Sequence, residues 1–177
     1  MAAALLDVPG GPVAVAGVVL PWHSDVGDEP ADPRPAAWSE HRRVIEQEVP
    51  ALLRMLRAEA AGARRVLAGD FNTDFRPPPK YGRAADRRRL EELLTVDGLV
   101  CHTAAVMYPP PSPARTLIDH VCTDFGLPAS IETWSGEDGR RPPMSDHPGV
   151  VVSLDLTASV LGSAVKENDD GLSSHGR

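Results

Sequence analysis

Three short segments of the chain place carboxylate, amide and imidazole groups beside predicted buried strands. The segments read GDFN, IDHV and SDHP, and their polar residues of interest are Asp70, Asn72, Asp119, Asp146 and His147. Each segment alone has an ordinary explanation, since Asp and Asn often bond their own backbone in turns. All three together indicate a shared polar site, because a carboxylate inside an apolar strand needs a partner.

The residue types in these segments suit phosphate chemistry assisted by a divalent cation. Carboxylate and amide oxygens are the ligands that Mg²⁺ and Mn²⁺ prefer. Structural zinc is disfavoured because Cys101 and Cys122 are the only cysteines. An imidazole beside a carboxylate can act as an acid, a base or a charge stabiliser, and a second carboxylate can fix its tautomer. The residues therefore predict a phosphate-ester site with Mg²⁺ or Mn²⁺.

Predicted strands and helices alternate along the chain and would position these groups. Apolar runs predict strands at 12–20, 64–68, 116–123, 131–134 and 150–156, with a short extended piece at 98–101. Helical spacing predicts helices at 36–60 and 82–95, and we expect Pro50 to kink or split the first. This order indicates a mixed α/β sheet with flanking helices over residues 1–161. Residues 162–177 are polar and are expected to form a disordered tail.

Composition and charge limit the classes of partner. The chain has 177 residues, enough for one domain, and a net charge of −7, which disfavours broad attraction to nucleic acid. Arg83 and the run 87–89 form a local basic cluster, which we expect to be a solvated helix face. Neither a membrane-spanning apolar stretch nor a signal-peptide pattern is found, and cytoplasmic, reduced thiols are expected, although one disulfide stays open.

The three segments, in this order and in these strand contexts, resemble the endonuclease/exonuclease/phosphatase superfamily, which includes deoxyribonuclease I. The resemblance covers roughly residues 12–156. It implies two β-sheets packed face to face with helices outside, of which this chain would be the C-terminal portion. It also implies attack of water on a phosphate ester, with Mg²⁺ or Mn²⁺ as Lewis acid.

The resemblance also implies a role for each polar residue. Asp70 would orient or deprotonate the attacking water or assist the leaving group. Asn72 would bond a phosphate oxygen or help to place Asp70. Asp146 would ligate the metal. His147 would bind the scissile phosphate and stabilise its charge, and Asp119 would orient His147.

The family pattern is incomplete in this chain. The family's N-terminal half supplies a metal-binding Glu, and residues 1–11 contain none, so we expect the true start to lie upstream. His23 either replaces a further family histidine or is an ordinary exposed loop residue, and His120 is expected to be structural. A chain with mostly one sheet would expose an apolar face, through which self-association could occur.

Three functions are weighed on this basis. The first is a metal-dependent hydrolase of phosphate esters, of the phosphodiesterase or endonuclease type, inactive if the missing ligand is essential. The alternative is a non-catalytic remnant or binding domain of the same fold. A nucleic-acid-binding module is the third, and the net charge disfavours it. The substrate stays open between nucleic acid, lipid and small phosphate esters.

Overall fold

Seven strands and two helices make up the part of the chain that the structure describes. The computed structural model describes residues 1–25, 36–76, 78, 80–106, 117–126, 128–134 and 147–156. In chain order, the elements are β1 Ala2–Val8, β2 Gly11–Val19, α1 Ser39–Glu59, β3 Arg64–Asp70, α2 Ala84–Val96, β4 Val100–Cys101, β5 Asp119–Thr123, β6 Pro128–Trp134 and β7 Gly149–Leu154.

Five of the strands form one mixed sheet in the order β1-β2-β3-β5-β4, and β6 and β7 form a second, two-stranded sheet. Strands β2 and β3 are parallel, and the other neighbouring pairs are antiparallel. A parallel pair needs a crossover connection, and α1 supplies it. The predicted mixed α/β architecture is confirmed at this level.

One face of the five-stranded sheet is covered by the two helices. Alternate residues of β2, beginning with Ala14 and Ala16, are buried there against the apolar stripe of α1. That stripe recurs at helical spacing, as in Val44, Ile45 and Leu52. Burial of this kind contributes about 25 cal/mol per Å² of apolar surface, so this layer is the main core.

The second face of the sheet is only partly covered within the described residues. Near its start, Val13, Val66 and Phe125 form a small cluster, with Leu154 of β7 packed against it. At the other end of the same β2 face, Val19 is 72% exposed. The face therefore becomes progressively more open toward the ends of β2 and β3.

An N-terminal strand was not among the sequence predictions. β1 pairs with β2 as a hairpin that closes with Val8 opposite Gly11. Gly10 supports the turn with a φ of 103°, a conformation that side chains other than glycine rarely adopt. β1 is an edge strand whose side chains are mostly exposed, including Leu5. No apolar/polar alternation marks it, so its pairing depends on the hairpin.

Two other predictions need correction. Helix α1 is one continuous element that includes Pro50, so of the kink or split predicted there the split does not occur. Strand β5 begins at Asp119, so this carboxylate stands at a strand end and not in mid-strand. Residues 26–35, 107–116 and 135–146 and the predicted tail at 162–177 lie outside the described residues.

Ion pairs fix the start of β3 and support the interpretation of the basic cluster. Asp97, just after α2, accepts bonds from Arg57 and from Arg65 Nη1, the latter at 2.5 Å. Arg65 also donates to Asp124 Oδ2 at 2.7 Å.

On α2, Arg89 pairs with a glutamate one turn on, as expected for a solvated face. No helix in the described part of the chain is both long and apolar enough to cross a membrane.

Candidate active site

Two of the predicted carboxylates lie side by side at the open end of the sheet. Asp70 ends β3 and stands directly opposite Asp119, the first residue of β5, while Val19 is its partner on β2. Residues in register across neighbouring strands point to the same face. Both carboxylates therefore belong to the second face of the sheet, beside the exposed Val19 side chain.

His147 lies between these two carboxylates. Its Nδ1 is 2.6 Å from Asp119 Oδ2, and its Nε2 is 3.8 Å from Asp70 Oδ2. An ionised carboxylate only accepts hydrogen bonds, so Nδ1 carries a hydrogen atom and its N–H donates a hydrogen bond to Asp119. The three side chains are each between 20% and 27% exposed, so the group is accessible from solvent.

Asn72 holds Asp70 in place. Its backbone N–H donates to Asp70 Oδ1 at 2.7 Å, and its Nδ2 lies 3.3 Å from Asp70 Oδ2. The same Nδ2 donates to the Leu20 carbonyl at 2.7 Å, tying this turn to the end of β2. Asn72 has a φ of 45°, which asparagine tolerates better than most residues. Of the two roles suggested for Asn72, these contacts favour the placing of Asp70.

A buried histidine that the sequence reasoning did not single out supports the next residue, Thr73. His41 is fully buried, and its Nδ1 donates to the Pro21 carbonyl at 2.7 Å. With its proton on Nδ1, the neutral ring accepts at Nε2 from the Thr73 hydroxyl, 3.3 Å away. His41 lies on the apolar stripe of α1, three residues before Val44, and this placement was the available sequence signal.

His120 supports Thr73 from the other side. Its Nε2 donates to the Thr73 carbonyl at 2.8 Å, and its Nδ1 is 2.9 Å from Thr103 Oγ1. Its ring packs against the rings of Phe71 and Phe75, at centroid distances of 5.5 and 4.5 Å. His120 is buried on the helix-covered face of the sheet, whereas the preceding residue, Asp119, lies on the second face. The contacts of His120 are therefore structural.

The burial of His41 gives a pH-dependent contribution to stability. Burial lowers the pKa of this imidazole below its ordinary value, although the bond to the Pro21 carbonyl opposes the effect. Below about pH 6.5 the His41 imidazole is protonated in the unfolded chain, whereas in the folded chain it becomes protonated only at a lower pH. The unfolded state then binds more protons, so this contribution is complete at neutral pH and decreases as the pH falls.

We therefore expect His41→Gln to unfold more easily at neutral pH, by about 1–3 kcal/mol for a disturbed buried bond. We also expect its stability to fall less than that of the wild type between about pH 7.5 and about pH 5.5. Urea unfolding at each pH measures both effects. His23→Gln, on an exposed loop histidine, is the matched control. A pH dependence in His41→Gln as steep as in the wild type would contradict the assignment.

The remaining predicted residues are Asp146 and His23. Asp146 lies outside the described residues, as does Ser145. Within the ranges the structure describes, no three His, Cys, Asp or Glu side chains form a group that could hold a metal ion. His23 is exposed, with its ring 5.0 Å from that of Trp22 and 5.9 Å from that of Trp38.

Searches against family models and curated proteins find no match to this chain. The family suggested by the three segments therefore stays an inference from those residues and from the geometry of Asp70, Asp119 and His147.

Proposed function

We propose that this chain is a divalent-metal-dependent hydrolase of phosphate esters, of the phosphodiesterase type. One observation carries the proposal: His147 bonds Asp119 through Nδ1 and turns Nε2 toward Asp70. An imidazole oriented by one carboxylate and directed at another is the arrangement expected for acid–base and charge-stabilising chemistry.

The proposed division of labour follows from the hydrogen bonds. Asp119 keeps the proton on Nδ1, so that in the protonated ring Nε2–H donates to a phosphate oxygen and stabilises its developing charge. Asp70, held by Asn72, accepts a proton from the attacking water. The 3.8 Å between Nε2 and Asp70 Oδ2 is longer than a direct hydrogen bond, and both groups can contact one substrate between them.

The donor chemistry of the site fits Mg²⁺ or Mn²⁺ if Asp146 contributes. Two neighbouring carboxylates repel a phosphate anion, and a bound divalent cation would make the local charge attractive to it. Asp119 is engaged by His147 and Asp70 is assigned to the attacking water, so Asp146 is the residue that would hold the cation. When bound, it would supply Lewis acidity at the phosphate.

The DNase I-like sandwich is proposed on the same basis. Its support is the open second face of the five-stranded sheet, at whose end the two carboxylates lie, together with the separate β6–β7 sheet. Self-association through the exposed sheet face stays a prediction. The exposed side chain of Val19 is its candidate contact on that face.

Hydrolysis of bis(p-nitrophenyl) phosphate by the purified chain tests the proposed function. We expect release of p-nitrophenol that needs Mg²⁺ or Mn²⁺ and stops when the metal is chelated. Asp7→Asn, which changes an exposed carboxylate on β1, should leave the rate unchanged. If neither metal produces cleavage above the rate in buffer, the catalytic proposal is wrong for this chain.

A non-catalytic domain of the same fold is the second candidate. It is favoured by the lack of a three-residue metal group among the described side chains, because Mg²⁺ dehydrates reluctantly and binds weakly to few carboxylates. Titration with Mn²⁺, followed by electron paramagnetic resonance, separates the two candidates. The hydrolase should show saturable binding that Asp146→Ala removes, and the binding domain should show none.

A further inference from the structure

The two cysteines stand directly opposite each other on neighbouring antiparallel strands, Cys101 on β4 and Cys122 on β5. His102, the residue directly after β4, donates its N–H to the Val121 carbonyl at 2.9 Å. Hydrogen-bonded and non-hydrogen-bonded pairs alternate along such a ladder, so the cysteines form a non-hydrogen-bonded pair. In such pairs the Cα atoms are about 4.5 Å apart, within the range that a disulfide spans.

The environments of the two thiols are unequal. The neighbouring Cys122 holds the pKa of the Cys101 thiol well below its ordinary value, with smaller contributions from His120 and Thr103, although burial opposes the effect. The same interaction and burial raise the pKa of Cys122. Cys101 is thus the more nucleophilic partner, because the thiolate is the attacking species in sulfur exchange.

Access to the two sulfurs is also unequal. Cys122 is fully buried, whereas Cys101 is partly exposed. Cys101 lines a cleft of about 290 Å³ between α2 and β4, together with Phe75, Leu94 and Leu99. A reagent from solvent can therefore reach Cys101 before it reaches its partner.

We propose that Cys101 and Cys122 form a thiol–disulfide exchange site for low-molecular-weight disulfides of the glutathione type. The Cys101 thiolate attacks one sulfur of the small disulfide, forms a mixed disulfide and releases one small thiolate. The Cys122 thiol then passes its proton to that thiolate and attacks the Cys101 sulfur. The products are the Cys101–Cys122 disulfide, one small thiol and one small thiolate, so the protein loses two electrons and the small disulfide gains them.

The proposal of an exchange site does not depend on the proposed hydrolase activity, although the two regions are in contact. The internal disulfide would join β4 to the strand that carries Asp119, enclosing residues 102–121. Thr103 connects the two regions, since its Oγ1 lies 3.7 Å from Cys101 Sγ and 2.9 Å from Nδ1 of His120. Sulfur exchange is therefore placed beside the buried contacts that hold Thr73.

Intact-mass spectrometry of the full chain treated with oxidised glutathione tests the proposal. The wild type should lose two hydrogen atoms without keeping an adduct, and dithiothreitol should reverse the change. Cys122→Ser should instead accumulate one glutathione adduct on Cys101, because no thiol remains to displace it. Cys101→Ser should react at least ~10-fold more slowly than Cys122→Ser, since its remaining thiol is buried and protonated.

Two results would overturn the site. One is a wild-type chain that keeps its adduct or does not react. The other is a Cys101→Ser variant that reacts as fast as Cys122→Ser. A second measurement avoids variants altogether: in the folded wild type, iodoacetamide should label Cys101 at least ~10-fold faster than Cys122, and in urea the two rates should converge. Equal rates in the folded chain would exclude the proposed order of attack.

Discussion

Replacing His147 with alanine is expected to slow metal-dependent cleavage of bis(p-nitrophenyl) phosphate by about 10²–10⁴-fold. The imidazole is the one described group that contacts both carboxylates, through Nδ1 at 2.6 Å and across 3.8 Å from Nε2. Its removal takes away the proposed donor to the phosphate oxygen. Initial rates at saturating metal give the effect on kcat/KM.

Two further variants show whether the loss is specific. Asp119→Asn should keep the ring near its position but weaken the hold on the Nδ1 proton, so its loss should be smaller than that of His147→Ala. Asp7→Asn, on the exposed edge strand, should match the wild type. If His147→Ala retains the full rate while its circular dichroism spectrum is native, the imidazole has no part in catalysis.

Replacing Gly69 with alanine is expected to destabilise the fold by about 4 kcal/mol or more, a value reached only by severe substitutions. Gly69 has a φ of 137° and stands in register with Val18 of the parallel neighbour β2. An alanine Cβ would collide with the Val18 carbonyl oxygen and stand 3.0 Å from the Val18 carbonyl carbon. Strands β2 and β3 would have to separate just before Asp70.

Gly98→Ala is the matched control for this clash. Gly98 also has a positive φ, of 75°, but a Cβ there would meet nothing within 4 Å. Its cost should therefore be limited to the backbone penalty of about 1–2 kcal/mol. Urea unfolding of both variants separates the two contributions, and a Gly69→Ala variant no less stable than Gly98→Ala would show that the strands are not so closely spaced.

Much of the element order follows from local sequence patterns. Alternating or continuous apolar runs predicted β2, β3, β6 and β7, and helical spacing predicted α1 and α2. β1 was missed because its sequence shows no apolar/polar alternation, and in the structure all of its residues but Val8 are exposed. The sequence left a kink and a split at Pro50 open, and the split does not occur, because the helix is stabilised by the tertiary packing of its apolar face, which a local rule does not include.

The composition of the site was predictable from residue types, whereas the pairing of Asp119 with His147 was expected only through the family resemblance. Asp70, Asn72, Asp119 and His147 were chosen by residue type and strand context, and the register of β3 with β5 brings the two carboxylates together. The bond from His147 to Asp119 crosses residues that are distant in sequence, which local patterns do not encode. The buried contacts of His41 and Thr73 were missed for a different reason, since a histidine on an apolar stripe has the same pattern as ordinary core packing.

The central claim is that Asp70 and His147 act together on one substrate. A double-mutant cycle tests it most directly, using kcat/KM for wild type, Asp70→Asn, His147→Ala and the double variant. Residues that act as a unit are strongly non-additive. We predict that the double variant is about as slow as the slower single variant. If the two losses instead multiply, the residues act independently and the account of the site is wrong.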